Sequence, residues 1–100
     1  MLLKLTEESE FNEVVKNGVV LVDFFATWCG PCKMLLPELE ELSAERDDVN
    51  IVEIDIDVFP ELAAKFNVRA VPTLILFKDG ENKKTTTGFL PKNSLIKFID

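Results

Sequence analysis

Val19-Val20-Leu21-Val22-Asp23-Phe24-Phe25-Ala26-Thr27-Trp28-Cys29-Gly30-Pro31-Cys32 is the stretch on which the fold turns. From Val19 to Ala26 it is apolar at both parities of the strand period except at Asp23, the pattern of a central strand covered on both faces. After it a helical pattern runs from about Gly30 to Glu45. Pro31 is tolerated in the first turn of that helix, whereas Pro37 lies inside it and predicts a kink. The order strand, Cys-x-x-Cys, helix sets two thiols at a helix N-terminus. There the unpaired backbone N–H groups and the helix dipole favour thiolate over thiol. Cys29 and Cys32 are the only cysteines of the chain, and the segment reads as built to make and break one disulfide.

Two plainer readings of the pair stand beside this one. As a staple, a disulfide this local closes a tiny loop and contributes only about 2 kcal/mol in the chain-entropy model. As half of a metal site shared across a dimer, it lacks partners, since structural zinc and iron–sulfur clusters normally take four ligands and the chain contains no histidine. Redox chemistry is favoured, and no metal is expected. Cys29 falls at the N-cap, nearest the free amides and the solvent, and Cys32 inside the first turn, facing the core. The outer thiol should therefore attack and the inner one resolve the mixed disulfide. Gly30 and Pro31 add no charge, so the thiolate is only moderately stabilised and the pair leans reducing.

Outward from this segment, Leu2 to Leu5 is a short strand candidate. Thr6 is the expected N-cap of a helix from about Glu7 to Lys16, which Asn17-Gly18 ends. Asn50 to Asp57 alternates, with Val52, Ile54 and Ile56 on one face and Ile51, Glu53 and Asp55 on the other. A short helix, Glu61 to Phe66, follows Pro60. Thr73 to Lys78 is a further strand, Asp79-Gly80 a hairpin turn, and Lys83 to Phe89 its returning partner. Pro91 opens a last helix to Ile99. The order βαβαβαββα, without repeat or linker, predicts one domain over residues 1–100. Its fold class is α/β: crossover helices imply parallel pairing first, and the late hairpin adds an antiparallel edge.

Composition narrows the function. At 100 residues, with 47% of them hydrophobic, the chain supports a core without staples. A net charge of −7 argues against nucleic acid and anionic membranes as partners. Met1-Leu2-Leu3-Lys4 is not the start of a signal peptide and no apolar run could span a bilayer, so a cytoplasmic location is expected. The absence of histidine removes Cys–His and Ser–His–Asp catalysis and leaves carboxylates, thiols, lysines or water to move protons.

Asp23 is then the second anomaly. A carboxylate within an apolar strand is costly unless paired or neutral, and burial raises its pKa. It reads either as a strand-end residue reaching solvent or as a buried base taking the proton of Cys32. In Val71-Pro72-Thr73 the proline opens a strand, as a simple bend or as a cis bond. Trp28, beside a reactive thiol, reads as core or as contact surface, the second favoured because aromatics are enriched at binding sites. The charge runs Glu38-Leu39-Glu40-Glu41 and Lys83-Lys84 read as solvated faces.

Together these residues resemble the thioredoxin family over essentially the whole chain. Val22 to Lys33, with WCGPC at its centre, is similar to the family's active-site segment. Pro37 matches its kinking proline, Val71-Pro72-Thr73 its cis-proline loop, and Phe77-Lys78-Asp79-Gly80 with Gly88 its late hairpin. The resemblance implies the thioredoxin fold, a three-layer sandwich with a central mixed five-stranded sheet flanked by four helices, and protein-disulfide reduction with no cofactor beyond the Cys29–Cys32 disulfide. By the same resemblance Cys29 attacks, Cys32 resolves, Asp23 accepts the proton, and Pro72 is cis. Trp28, Gly30, Pro31, Val71, Pro72 and Gly88 line the docking surface of a monomer. Electrons come from a thioredoxin reductase and pass to targets such as ribonucleotide reductase, peroxiredoxin or methionine sulfoxide reductase. One position departs from the family. Where many members carry lysine near the buried aspartate, alignment on Asp57 places Glu53 here. Approach of the two carboxyls would push Asp23 up further.

Overall fold

Alternation along one strand organises the molecule. The computed structural model describes residues 1–100. Its elements are β1 (Leu2–Lys4), α1 (Phe11–Val15), β2 (Val19–Phe25), α2 (Gly30–Glu45), β3 (Val49–Asp55), α3 (Pro60–Lys65), β4 (Thr73–Lys78), β5 (Glu81–Thr87) and α4 (Lys92–Ile99). The strands form one sheet in the order β1-β3-β2-β4-β5. β1 and β2 run parallel to β3, whereas β4 is antiparallel to β2 and β5 to β4. This is the expected α/β class, a mixed five-stranded sheet with four helices.

Residues of β2 at one parity, Val20, Val22 and Phe24, pack with Phe11 and Val15 of α1 and Leu62 and Ala63 of α3. At the other parity Leu21 packs with Leu35, Leu39 and Leu42 of α2 and Leu95 and Ile99 of α4. Both faces of β2 are thus covered, which is why nearly every residue along it is apolar. Val20, Leu21, Val22 and Phe24 are all fully buried. Asp23 shares the parity of Leu21 and so points to the α2 side.

Three expectations are corrected. Parallel pairing does not extend to β4, because α3 is too short for a crossover. Its six residues cover about 9 Å, against about 23 Å for a seven-residue strand such as β2. The chain therefore re-enters the sheet at the end where it left, with Thr73 opposite Phe24, and runs back antiparallel. Thr6 does not cap α1; its hydroxyl donates to Glu10 Oε1 at 3.1 Å, and the helix is entered through a 3-10 turn at Glu8–Glu10. Finally, β5 begins two residues before Lys83 and ends two before Phe89. Asp79 and Gly80 both take positive φ, 50° and 83°, as the tight hairpin turn requires. Pairing therefore starts at once, with Glu81 opposite Lys78.

Candidate active site

Cys29 is the N-cap of α2, with extended backbone, and Cys32 lies in the first turn after Pro31. Their Cα atoms are 5.2 Å apart and they are joined as a disulfide. The Cys32 amide donates to Cys29 Sγ at 3.2 Å. Cys29 Sγ thus occupies the place a capping oxygen would take, and a free N–H of the helix end faces the sulfur where negative charge would develop. Exposure does not separate the two cysteines, contrary to the sequence-based expectation of an outer and an inner thiol: each is 5% exposed. Their surroundings separate them instead.

Cys29 faces the loop at Val71-Pro72. Its Sγ lies 3.6 Å from the Val71 carbonyl oxygen, just before the Val71-Pro72 bond, which is cis. A groove of about 340 Å³ runs beside it between Trp28, Ile56, Val68, Arg69, Ala70 and Val71. Trp28 is 67% exposed and is held by its indole N–H, which donates to Asp57 Oδ2 at 2.9 Å. Asp57 is itself placed by a turn in which its amide donates to Asp55 Oδ1 at 2.9 Å. Gly88, with φ 93°, donates its amide to the Pro72 carbonyl at 2.8 Å. Gly30 and Pro31 are exposed at the start of α2.

Cys32 faces a different space. It lines a cavity of about 310 Å³ with Asp23, Glu53, Lys4, Glu40 and Lys33. Asp23 is 1% exposed and Glu53 6%, and their Cα positions are register partners on β2 and β3. Asp23 is buried, not a strand-end residue in solvent. Burial pushes its carboxyl up, and a hydrogen bond with Glu53 partly offsets this. Burial also pushes Glu53 up, and the hydrogen bond to Asp23 and the aspartate charge push it further the same way. Asp23 Oδ1 and Glu53 Oε2 are buried and have no hydrogen-bond partner. The condition set by the sequence, that the two carboxyls come together, is met by strand register and a shared cavity.

The structure therefore sets Trp28 and Val71 on the rim of one groove, with Cys29, Gly30 and Pro31 following Trp28 in the chain, Pro72 following Val71 and Gly88 bonded to Pro72, while Cys32 and Asp23 line a separate cavity. Ile56, Val68, Arg69, Ala70 and Asp57 join the rim without having been legible. They come from loops after β3 and α3, and nothing local marks them except the need of the Trp28 N–H for a partner. No cluster of histidine, cysteine and carboxylates suited to a metal is present. No helix is long and apolar enough to cross a membrane.

A disulfide whose sulfur caps a helix N-terminus suits reversible thiol–disulfide exchange, and the comparisons point the same way. The profile of the Thioredoxin family matches residues 2–100. A thioredoxin of Staphylococcus haemolyticus is 50% identical over 100 residues, covering 99% of this chain and 95% of that one. Among solved structures, a mutant thioredoxin from Halobacterium salinarum superposes with a TM-score of 0.91 at 42% identity, covering 98% of this chain and 87% of that one. Another, described as the structural basis of thiol resolution in yeast mitochondrial 1-Cys peroxiredoxin via glutathione/thioredoxin systems, has a TM-score of 0.89 at 39% identity, covering 98% and 92%. The chain belongs to the thioredoxin family and is a thiol–disulfide oxidoreductase with Cys29 and Cys32 as its redox-active disulfide.

Proposed function

We propose that the protein reduces disulfides in other proteins, acting as a single domain over residues 1–100. The observation that carries this is the Cys29 sulfur seated as N-cap of α2 with the Cys32 amide 3.2 Å away. In the reduced protein the Cys29 thiolate attacks a substrate disulfide, releasing one substrate thiolate and leaving a mixed disulfide. Cys32 then attacks Cys29 Sγ. The Cys29–Cys32 bond forms, and the bond from Cys29 to the substrate breaks. The second substrate thiolate departs with the electron pair. Asp23 accepts the proton of Cys32, a role its burial beside the same cavity supports.

The groove at Trp28 and Val71, with Gly30, Pro31, Pro72 and Gly88 around it, receives an extended segment of the substrate. A thioredoxin reductase returns the electrons, completing a short electron-transport chain in the cytoplasm, with the protein acting as a monomer and needing no cofactor besides its own disulfide. Peroxiredoxin is one target class, in keeping with the yeast structure above; ribonucleotide reductase and methionine sulfoxide reductase are others.

Reduction of insulin disulfides by the dithiol form tests the reaction. Cys29→Ser should abolish it, while Cys32→Ser should trap a mixed disulfide at Cys29. The reduction potential should fall near the roughly −270 mV known for thioredoxins. A value towards about −180 to −120 mV would assign the protein to isomerase or oxidase work instead.

A further inference from the structure

Two buried carboxyls lie side by side in this molecule, and the chemistry above uses only one. Asp23 on β2 and Glu53 on β3 are register partners, both nearly inaccessible, both line one cavity, and one buried oxygen of each has no hydrogen-bond partner. Two carboxyls set side by side by strand register and shielded from solvent oppose each other's ionisation and titrate as a pair, holding one proton between them. No cation offsets the pair at contact distance. Lys4, opposite Glu53 on β1, stands with its ammonium 5.5 Å above the Phe25 ring and acts on Glu53 only through space. From α2, Cys32, Lys33 and Glu40 face the same cavity, Glu40 opposing ionisation of Glu53. From β4 the residue opposite Asp23 is the apolar Leu74.

We propose that Glu53 is a positioning residue for the buried base: with Asp23 it forms a carboxyl pair holding one proton in common, and the Cys32 proton enters this pair at Asp23 and leaves from Glu53 into the cavity. The inference rests on the proton-acceptor role of Asp23 and adds a second group to it. When Cys32 attacks the mixed disulfide, its S–H proton passes to the pair, which goes from one proton to two. The Cys29–Cys32 bond forms, the bond to the substrate sulfur breaks, and the electron pair leaves with the substrate thiolate. The pair then returns to one proton by releasing the other to solvent past the exposed Lys4 and Glu40, and the substrate thiolate is protonated from solvent.

The test combines two measurements on the full chain. Carboxyl-carbon NMR titration of the reduced wild-type protein needs no variant. The Asp23 and Glu53 signals should move together in two steps, the second above neutrality. Single-turnover reduction of a symmetric aromatic disulfide then separates the chemical steps, its first aryl thiolate reporting attack by Cys29 and its second reporting resolution by Cys32. In Glu53→Gln the second carboxyl step should vanish, and with it the upper inflection in the pH profile of resolution. In Glu53→Lys the Asp23 step should move down by about one pH unit or more, a tenfold change in its protonated population. Glu53→Asp should restore the two-step titration. Separate titration of the two carboxyls in the ordinary range overturns the proposal. So does an unchanged pH profile in Glu53→Gln; if Asp23→Asn nevertheless slows resolution, only the part assigned to Glu53 is lost. A resolution rate indifferent to Asp23→Asn removes the acceptor role itself, and the proposal with it.

Discussion

Val20, Val22 and Phe24 project from one side of β2, Leu21 and Asp23 from the other, and the two sides differ in chemistry although the backbone between them is shared. The first side is wholly apolar. Phe24 meets Phe66 at 6.0 Å between ring centroids, and Phe66 meets Phe11 at 5.2 Å and Phe77 at 5.8 Å in tilted and edge-on contacts. The second side is apolar only as far as Leu21. One pleat further towards Cys32 the same row carries Asp23 and, across the strand pairing, Glu53 and Lys4. Filling the first side removes apolar surface from water with no polar group left to desolvate. At the second, two buried carboxyls oppose folding and share a cavity with Cys32, the thiol proposed to lose a proton. Under the proposed mechanism, stability and chemistry fall on opposite faces of one strand.

The most severe way to break this division is on the aromatic side. Phe24→Ala should lower stability by about 3–5 kcal/mol in denaturant titration and leave the reduction potential unmoved. A shift in potential would show that the faces are coupled. Next comes Asp23→Asn, expected to slow resolution by roughly 10²-fold at neutral pH, in the range of one lost general base, while raising stability. Single-turnover kinetics and chemical denaturation read the two effects separately. Third is Glu53→Gln. Asp23 and Glu53 both sit higher in the folded than in the unfolded chain, so the native state holds extra protons above the ordinary carboxylate range. Their contribution to stability is fully present below that range and is lost as pH rises through the raised values. Removing Glu53 should flatten this fall and stabilise the protein by roughly 1–2 kcal/mol at alkaline pH, measured as denaturation midpoints across pH. The smallest effect belongs to the rim. Trp28→Ala should change stability by less than about 0.5 kcal/mol, as expected at an exposed site, and raise KM for a protein disulfide several-fold with little change in kcat.

Much of this is legible in the sequence. The run from Val19 to Cys32 carried β2, the start of α2 and the redox pair, because burial on both faces and a helix N-terminus each leave a local mark. Asp23 was conspicuous for the same reason, as a charge where hydrophobic burial allows none. Less was legible where the outcome depended on distance in space. The direction of β4 followed from the shortness of α3. The start of β5 followed from the tight turn at Asp79-Gly80, and the failure of Thr6 to cap followed from the nearness of the Glu10 carboxylate.

Sequence alone therefore determined the elements, their order, the pairing of Cys29 with Cys32 and the family, because periodicity, helix ends and a dense motif are properties of neighbours along the chain. Tertiary structure decided which environment each sulfur meets: the Val71 carbonyl for Cys29 and the carboxyl-lined cavity for Cys32. It also decided that Glu53 stands against Asp23, since strand register, not sequence spacing, brings residues thirty positions apart onto one row of the sheet.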